Sequence, residues 1–154
     1  MNELPLCWDI ASIGLYKLLH DEKNIDLHQL KKLAHINKWA NNLQELIIAN
    51  EYEAIIVTNK NQNILWTNNG FSDMTGYKAS FAKNKKPGFL QGAATCVRTK
   101  KRIKEQLIEK MMVRETIINY RKSGEPYTCD IWILPLINTD KVLTHFIALE
   151  KSIV

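Results

Sequence analysis

The sequence predicts an α+β fold, with helices on one side of a five-stranded antiparallel sheet and an α-helical extension in front of it. Three observations carry this. Apolar residues in the first 50 positions recur every three or four residues, as they do along one side of a helix. From Ala54 the pattern changes to short β-prone runs. A charged helical stretch near residues 100–111 is then followed by three further runs of strand character.

Taken in order, Trp8, Ile13, Leu15, Tyr16, Leu18 and Leu19 give a mostly apolar first helix, expected to end at a turn over residues 21–24. Asp26 then reads as a helix cap, with Gln29 three residues on completing a capping-box-like pattern. Behind it runs a stripe of Leu27, Leu30, Leu33, Ile36, Trp39, Leu43, Leu46 and Ile47. Asn37 and Asn41-Asn42 interrupt the stripe, so one helix or two shorter ones satisfy it equally. Residues 54–58 and 64–67 form a hairpin across the polar turn 59–63, and short helices are expected around residues 71–82. Ile103, Leu107, Ile108 and Met111 mark the apolar side of the charged helix. The last strands are placed near 113–120, 127–136 and 142–150, with turns at Ser123-Gly124 and at 138–141.

Length and composition suit one small domain with an appended helical arm: 154 residues, 45% of them hydrophobic. No apolar run approaches the roughly 18 residues that span a bilayer, and the N-terminus lacks the basic and apolar regions of a signal peptide. A cytoplasmic location is therefore expected. Three widely spaced cysteines, Cys7, Cys96 and Cys129, make no metal-type pair and are expected to be reduced thiols. His28 and His35 have no ligand companions at metal spacing, so no metal site is expected. The net charge of +5 is uneven, because the first 50 residues carry −1 and the rest +6. Lys83, Lys85 and Lys86 form one basic run, and Arg98, Lys100, Lys101, Arg102 and Lys104 another; both read first as solvated faces. A helix-turn-helix in the acidic first third is disfavoured, since a DNA reader needs cations to neutralise phosphates. A phosphate loop, a nucleophile elbow and a paired-carboxylate motif are all missing, so the chain reads as a non-enzyme.

The stretch Pro87-Gly88-Phe89-Leu90-Gln91-Gly92 resembles the Asn-Cys-Arg-Phe-Leu-Gln-Gly signature of LOV photoreceptors, a flavin-binding branch of the PAS family of sensory domains. Asn68 to Tyr77 resembles the family's Asn-Pro-x-Phe-x-x-x-Thr-Gly-Tyr segment, and Asn119 to Tyr127 its Asn-Tyr-Arg-Lys-Asp-Gly hairpin. His145 to Glu150 resembles its last strand, so the likeness runs in order over residues 53 to 150. It implies the PAS fold, with a pocket between sheet and helices. Gln91 and Asn119 match flavin-contacting positions. Elsewhere Pro87 replaces the photoactive Cys, Gly88 and Lys104 replace phosphate-binding Arg residues, Cys129 replaces an Asn that reads the ring, and Glu150 replaces the terminal Gln. Lys104 cannot reproduce the two-toothed grip of Arg, and an ionised Glu150 would be an acceptor only. Adduct chemistry at position 87 is excluded and no flavin is expected. Haem is not expected either, because His20, His28, His35 and His145 all lie outside the central helical region where the family's ligand is sought.

These readings divide the chain into a helical extension, 1–50, and a PAS domain, 51–151. The expected function is that of a stand-alone signalling module working through protein association with an unknown partner. Homodimerisation is expected through Leu27, Leu30, Trp39, Leu43, Leu46 and Ile47, unless that stripe covers the sheet instead. Phe89, Gln91, Asn119, Cys129 and Glu150 are the candidate ligand pocket, or bulky Trp66, Trp132 and Phe146 fill that space. The alternatives are a flavin photosensor without adduct chemistry and a nucleic-acid-associated regulator using Lys100, Lys101 and Arg102.

Overall fold

The computed structural model describes residues 7–153, with side-chain environments from residue 11 onward. Among these, residues 7–36 with 42–50 form one compact unit, and residues 37–41 with 51–153 the other.

The first unit holds two helices, α1 (Cys7–Asn37) and α2 (Leu43–Ala49). The turn expected at residues 21–24 does not form. Asp21, Glu22, Lys23 and Asn24 include no Gly or Pro, so nothing there breaks the backbone ladder. Asn24 instead bonds back one turn to His20 Nδ1 at 3.0 Å, and Asp26, expected as a cap, sits buried inside the helix. The break comes at Lys38, which takes a left-handed φ of 55°. The cap that operates is Asn42, whose side chain accepts from Glu45 N at 3.1 Å and donates to Glu45 Oε2 at 3.2 Å. α2 then runs back along α1, with Lys31 Nζ donating to Gln44 Oε1 at 3.0 Å and Lys23 Nζ to Asn50 O at 2.8 Å. Cys7 belongs to α1, but its side chain lies outside the described environments.

The second unit is a five-stranded antiparallel sheet in the order β2-β1-β5-β4-β3. Its strands are β1 (Ala54–Asn59), β2 (Ile64–Thr67), β3 (Val113–Tyr120), β4 (Pro126–Ile137) and β5 (Leu143–Ile153). β1 carries Ile-Ile-Val-Thr, residue types that suit a pleated, half-buried surface. The final turn is held by Asn138, whose Oδ1 accepts from Asp140 N and Val142 N, both at 3.0 Å. Three helices and a 3₁₀ turn join β2 to β3: α3 (Asn69–Thr75), α4 (Ala79–Ala82), the turn Pro87–Leu90 and α5 (Val97–Ile108). Their buried Phe71, Met74, Ala82 and Leu90 pack with Ala54, Ile56, Ile117, Tyr127, Cys129 and Ile131 from one face of the sheet. This layer is the core of the unit.

Asn68 pins α3 to the sheet, its Oδ1 accepting from Phe71 N at 3.0 Å and Ile55 N at 2.8 Å. Gly70 follows from that closeness, because a Cβ there would lie 1.8 Å from the Glu53 carbonyl oxygen. Gly76 ends the helix with φ 78°, a conformation other residues adopt at a cost. Residues 37–41 are strapped to the far end of β4 through Ala40 N to Ile137 O at 2.8 Å and Asn41 Nδ2 to Pro135 O at 3.2 Å. The boundary expected at residue 50 is therefore crossed by five earlier residues that belong with the sheet. No helix among the described residues is long and apolar enough to cross a membrane.

Candidate functional site

Alternation along the strands decides which residues face the helices. Tyr127, Cys129 and Ile131 of β4 point to the same side, and the register sets Asn119 opposite Tyr127, Ile117 opposite Cys129, and Glu150 between Ile131 and Ala54. Four polar groups thus enter an otherwise apolar layer: Asn119, Tyr127, Cys129 and Glu150, each less than a tenth exposed. The structure brings together three of the five expected pocket residues, Asn119, Cys129 and Glu150. Phe89 packs against the rim of the same core, forming an aromatic trio with Tyr77 and Phe81 at ring separations of 5.1 to 5.9 Å. Gln91 is half-buried, with its side chain over Gly88. Tyr127 was not singled out by the sequence reading, although its two-residue spacing from Cys129 was the available signal.

The chemistry of the cluster follows from burial. The Cys129 thiol lies 3.8 Å from Glu150 Oε2. Loss of solvent, then the Glu150 charge, push its pKa far above the usual thiol value, so it is no nucleophile. Loss of solvent raises Glu150 to about 7, only weakly opposed by the thiol. The Tyr127 phenol is likewise pushed up, first by burial and then by Glu150. Its hydroxyl is sealed from water without a hydrogen bond of ordinary geometry, next to Asn119. A cation borders the cluster at its edge: Arg121 stands 4.4 Å from the centre of the Tyr127 ring, bonds the Met74 carbonyl and reaches Ser152 Oγ at 3.4 Å.

Phe71, Met74, Leu90, Ile117 and Ile131, all buried, share one core cluster between the helices and the sheet. Lys104 and Gly88, at the phosphate-binding positions of the resemblance, are solvent-exposed. The expected fillers Trp66 and Trp132 are on the other face, opposite Val57 and Leu149 respectively. Phe146 does face the helices, against Leu107 and Val113 at the end of the sheet. No group of three His, Cys, Asp or Glu among the described residues is arranged to hold a metal ion.

Of the residues expected at a dimer interface, Leu27, Leu30, Trp39, Leu43 and Ile47 are already buried in a single chain and Leu46 is half-buried. Trp39 belongs to the sheet unit, where its indole N–H reaches Thr144 Oγ1 and His145 Nδ1, both at 3.2 Å. The exposed apolar surface lies earlier in α1. Every residue from 11 to 20 is exposed, including Ile13, Leu15, Tyr16, Leu18 and Leu19, with Tyr16 reaching 72%. In the basic run, Arg102 is paired with Glu115 at 2.8 Å.

The PAS domain family matches residues 53–153. The nitrogen fixation regulatory protein of Klebsiella oxytoca is 30% identical over 65% of this chain and 20% of its own length. A blue-light-activated histidine kinase of Brucella anthropi is 32% identical over 58% of this chain and 18% of its own length. The chain thus spans about a fifth of these relatives. Among solved structures, the LOV domain of the Erythrobacter litoralis EL346 blue-light-activated histidine kinase superposes with a TM-score of 0.63 at 25% identity, covering 68% of this chain and 98% of that one. The PAS domain of the fruit-fly ELK potassium channel superposes with 0.64 at 27% identity, covering 73% and 98%.

Proposed function

We propose that this chain, which belongs to the PAS domain family, is a LOV-like signalling module that works by protein association and without flavin, its helical extension joining two copies. The observation that carries the reading is the first half of α1. A helix apolar on every side is normally buried, yet residues 11–20 hold one charge, Lys17, and are exposed throughout. Ala11, Leu15, Leu18, Glu22 and Ile25 alternate four and three apart, the spacing of a seam between two helices, while Ile13, Tyr16 and Leu19 widen the contact. Covering five large side chains contributes about 2 kcal/mol each before the entropy of association is deducted. Support for signalling comes from the relatives, which are a regulatory protein and a blue-light-activated histidine kinase by name. The closed core supports a domain that needs no cofactor to hold its shape.

Sedimentation of the protein against Leu15→Asp/Leu19→Asp tests this. A dimer that becomes a monomer in the variant supports the reading; a monomer at high micromolar concentration in both overturns it. An absorption spectrum with flavin bands near the blue would overturn the cofactor-free part.

A further inference from the structure

Among the described residues Glu150 is the one carboxyl buried in the sheet's helix-facing layer, and its immediate neighbours are poorly suited to its charged form. It is 6% exposed, and its cross-strand neighbours Ala54 and Ile131 are buried and apolar. The hydrogen bond of its carboxyl is with the Cys129 thiol, a weak donor, at 3.8 Å. Among the described residues no Lys, Arg or His forms an ion pair with it. Lys151 alternates to the opposite face and pairs with Glu51 at 2.7 Å, while Arg121 is engaged with Met74, Ser152 and the Tyr127 ring.

The same residue closes the entrance of the chain into the sheet. Its backbone oxygen accepts from Glu53 N at 2.9 Å. Two residues on, Ser152 N donates to Glu53 Oε1 at 3.0 Å. Residues 51–53 are therefore fastened to β5 at Glu150, Lys151 and Ser152, directly where the chain arrives from α2.

We propose that Glu150 is a proton switch: neutral, it sits in the apolar layer; ionised, it seeks water or Arg121 and loosens the fastening of residues 51–53 to β5. The input sensed by the domain is then pH, and the output is the hold on the segment leading to the helical extension. The output half rests on the signalling reading above; the titration does not.

The neighbouring groups leave the range near neutrality to Glu150. From β4, Cys129 and Tyr127 are both pushed upward by burial and stay uncharged. Asp130 and Lys151 alternate to the other face. Arg121 of the β3–β4 turn is engaged with Glu125, Met74, Ser152 and the Tyr127 ring, Glu51 and Glu53 are exposed at the junction, and α3 presents Met74 and Thr75. His145, toward the other end of β5, is pushed below its usual value by burial.

The test is an NMR titration of the full chain labelled at glutamate carboxyls and backbone amides, repeated on Glu150→Gln and Glu150→Leu. The expected result is a Glu150 carboxyl titrating near 7, with the Glu53 and Ser152 amides moving at the same midpoint in the wild type and losing that transition in both variants. A carboxyl midpoint in the ordinary carboxylate range, or amide transitions that persist in the variants, overturns the switch. Sedimentation at about pH 6 and about pH 8 separates the two readings. A shift in the dimer fraction in wild type alone supports the output. An unchanged fraction beside the expected titration overturns the output and leaves the proton site standing.

Discussion

Two cysteines in this fold have opposite chemistry because of where each stands. Cys96 is exposed at the start of α5, and hydrogen bonding from Thr99, with Arg102 nearby, lowers its pKa; Cys129 is buried and raised. Iodoacetamide should therefore modify Cys96 in the native protein while sparing Cys129 until the chain is unfolded, as read by peptide mapping. Labelling of Cys129 at the same rate would contradict its burial. Glu150 carries a pH dependence of definite sign. Its folded value, about 7, lies well above the ordinary carboxylate range, so the folded state binds the proton more tightly. The contribution of Glu150 to stability is then fully present below the ordinary carboxylate range and is lost as pH rises to about 7. Urea midpoints should drop between mildly acidic and mildly alkaline pH, and Glu150→Gln should flatten that fall and be more stable than wild type above neutrality. That Asn119, Cys129 and Glu150 share one face of the sheet was legible through the family resemblance alone. That they form a polar patch in a filled core was not, because the fillers Phe71, Met74 and Leu90 come from helices whose docking no local pattern specifies.

At the scale of elements, the strands were readable and the first helix was misjudged. Alternation and β-branched residues mark β1 to β5 within a few residues, and Asn138 signals the last turn. The predicted break at residues 21–24 mistook a polar face for a turn: Lys23 and Asn24 use their side chains within the helical unit. The real cap, Asn42 with Glu45 three residues on, had the same sequence signature as the false one at Asp26 and Gln29. What separates them is that Lys38 leaves the helical region before Asn42, whereas nothing interrupts the chain before Asp26. Asn42→Ala should cost the extension about 1 kcal/mol, measured as earlier loss of helical signal on heating. Asn68 fastens α3 to β1 by three side-chain bonds, including Asn68 Nδ2 to Glu53 O at 3.1 Å. Asn68→Ala should lower the stability of the sheet unit by about 2 to 3 kcal/mol, read as a shifted urea midpoint.

For the whole molecule, fold and function were legible to different depths. Strand order and the helices on one face follow from the run of elements and the family motifs, because a sheet with one apolar side has few ways to close. The division of the chain was less legible, since residues 37–41 join the sheet through backbone bonds to Ile137 and Thr139 that carry no sequence signature. Burial along the first unit was less legible for a related reason: Leu27, Leu30, Leu43 and Ile47 are buried within one chain, while the apolar residues from 11 to 20 are exposed. The proposed function gives the unit with its own buried core the role of receiving a signal, and the unit with the exposed apolar helix the role of associating. Hydrogen-exchange mass spectrometry of residues 11–25 at high micromolar and at nanomolar protein concentration tests that arrangement most directly. Strong protection at the high concentration that disappears on dilution is the predicted result, and equal exchange at both concentrations would contradict it.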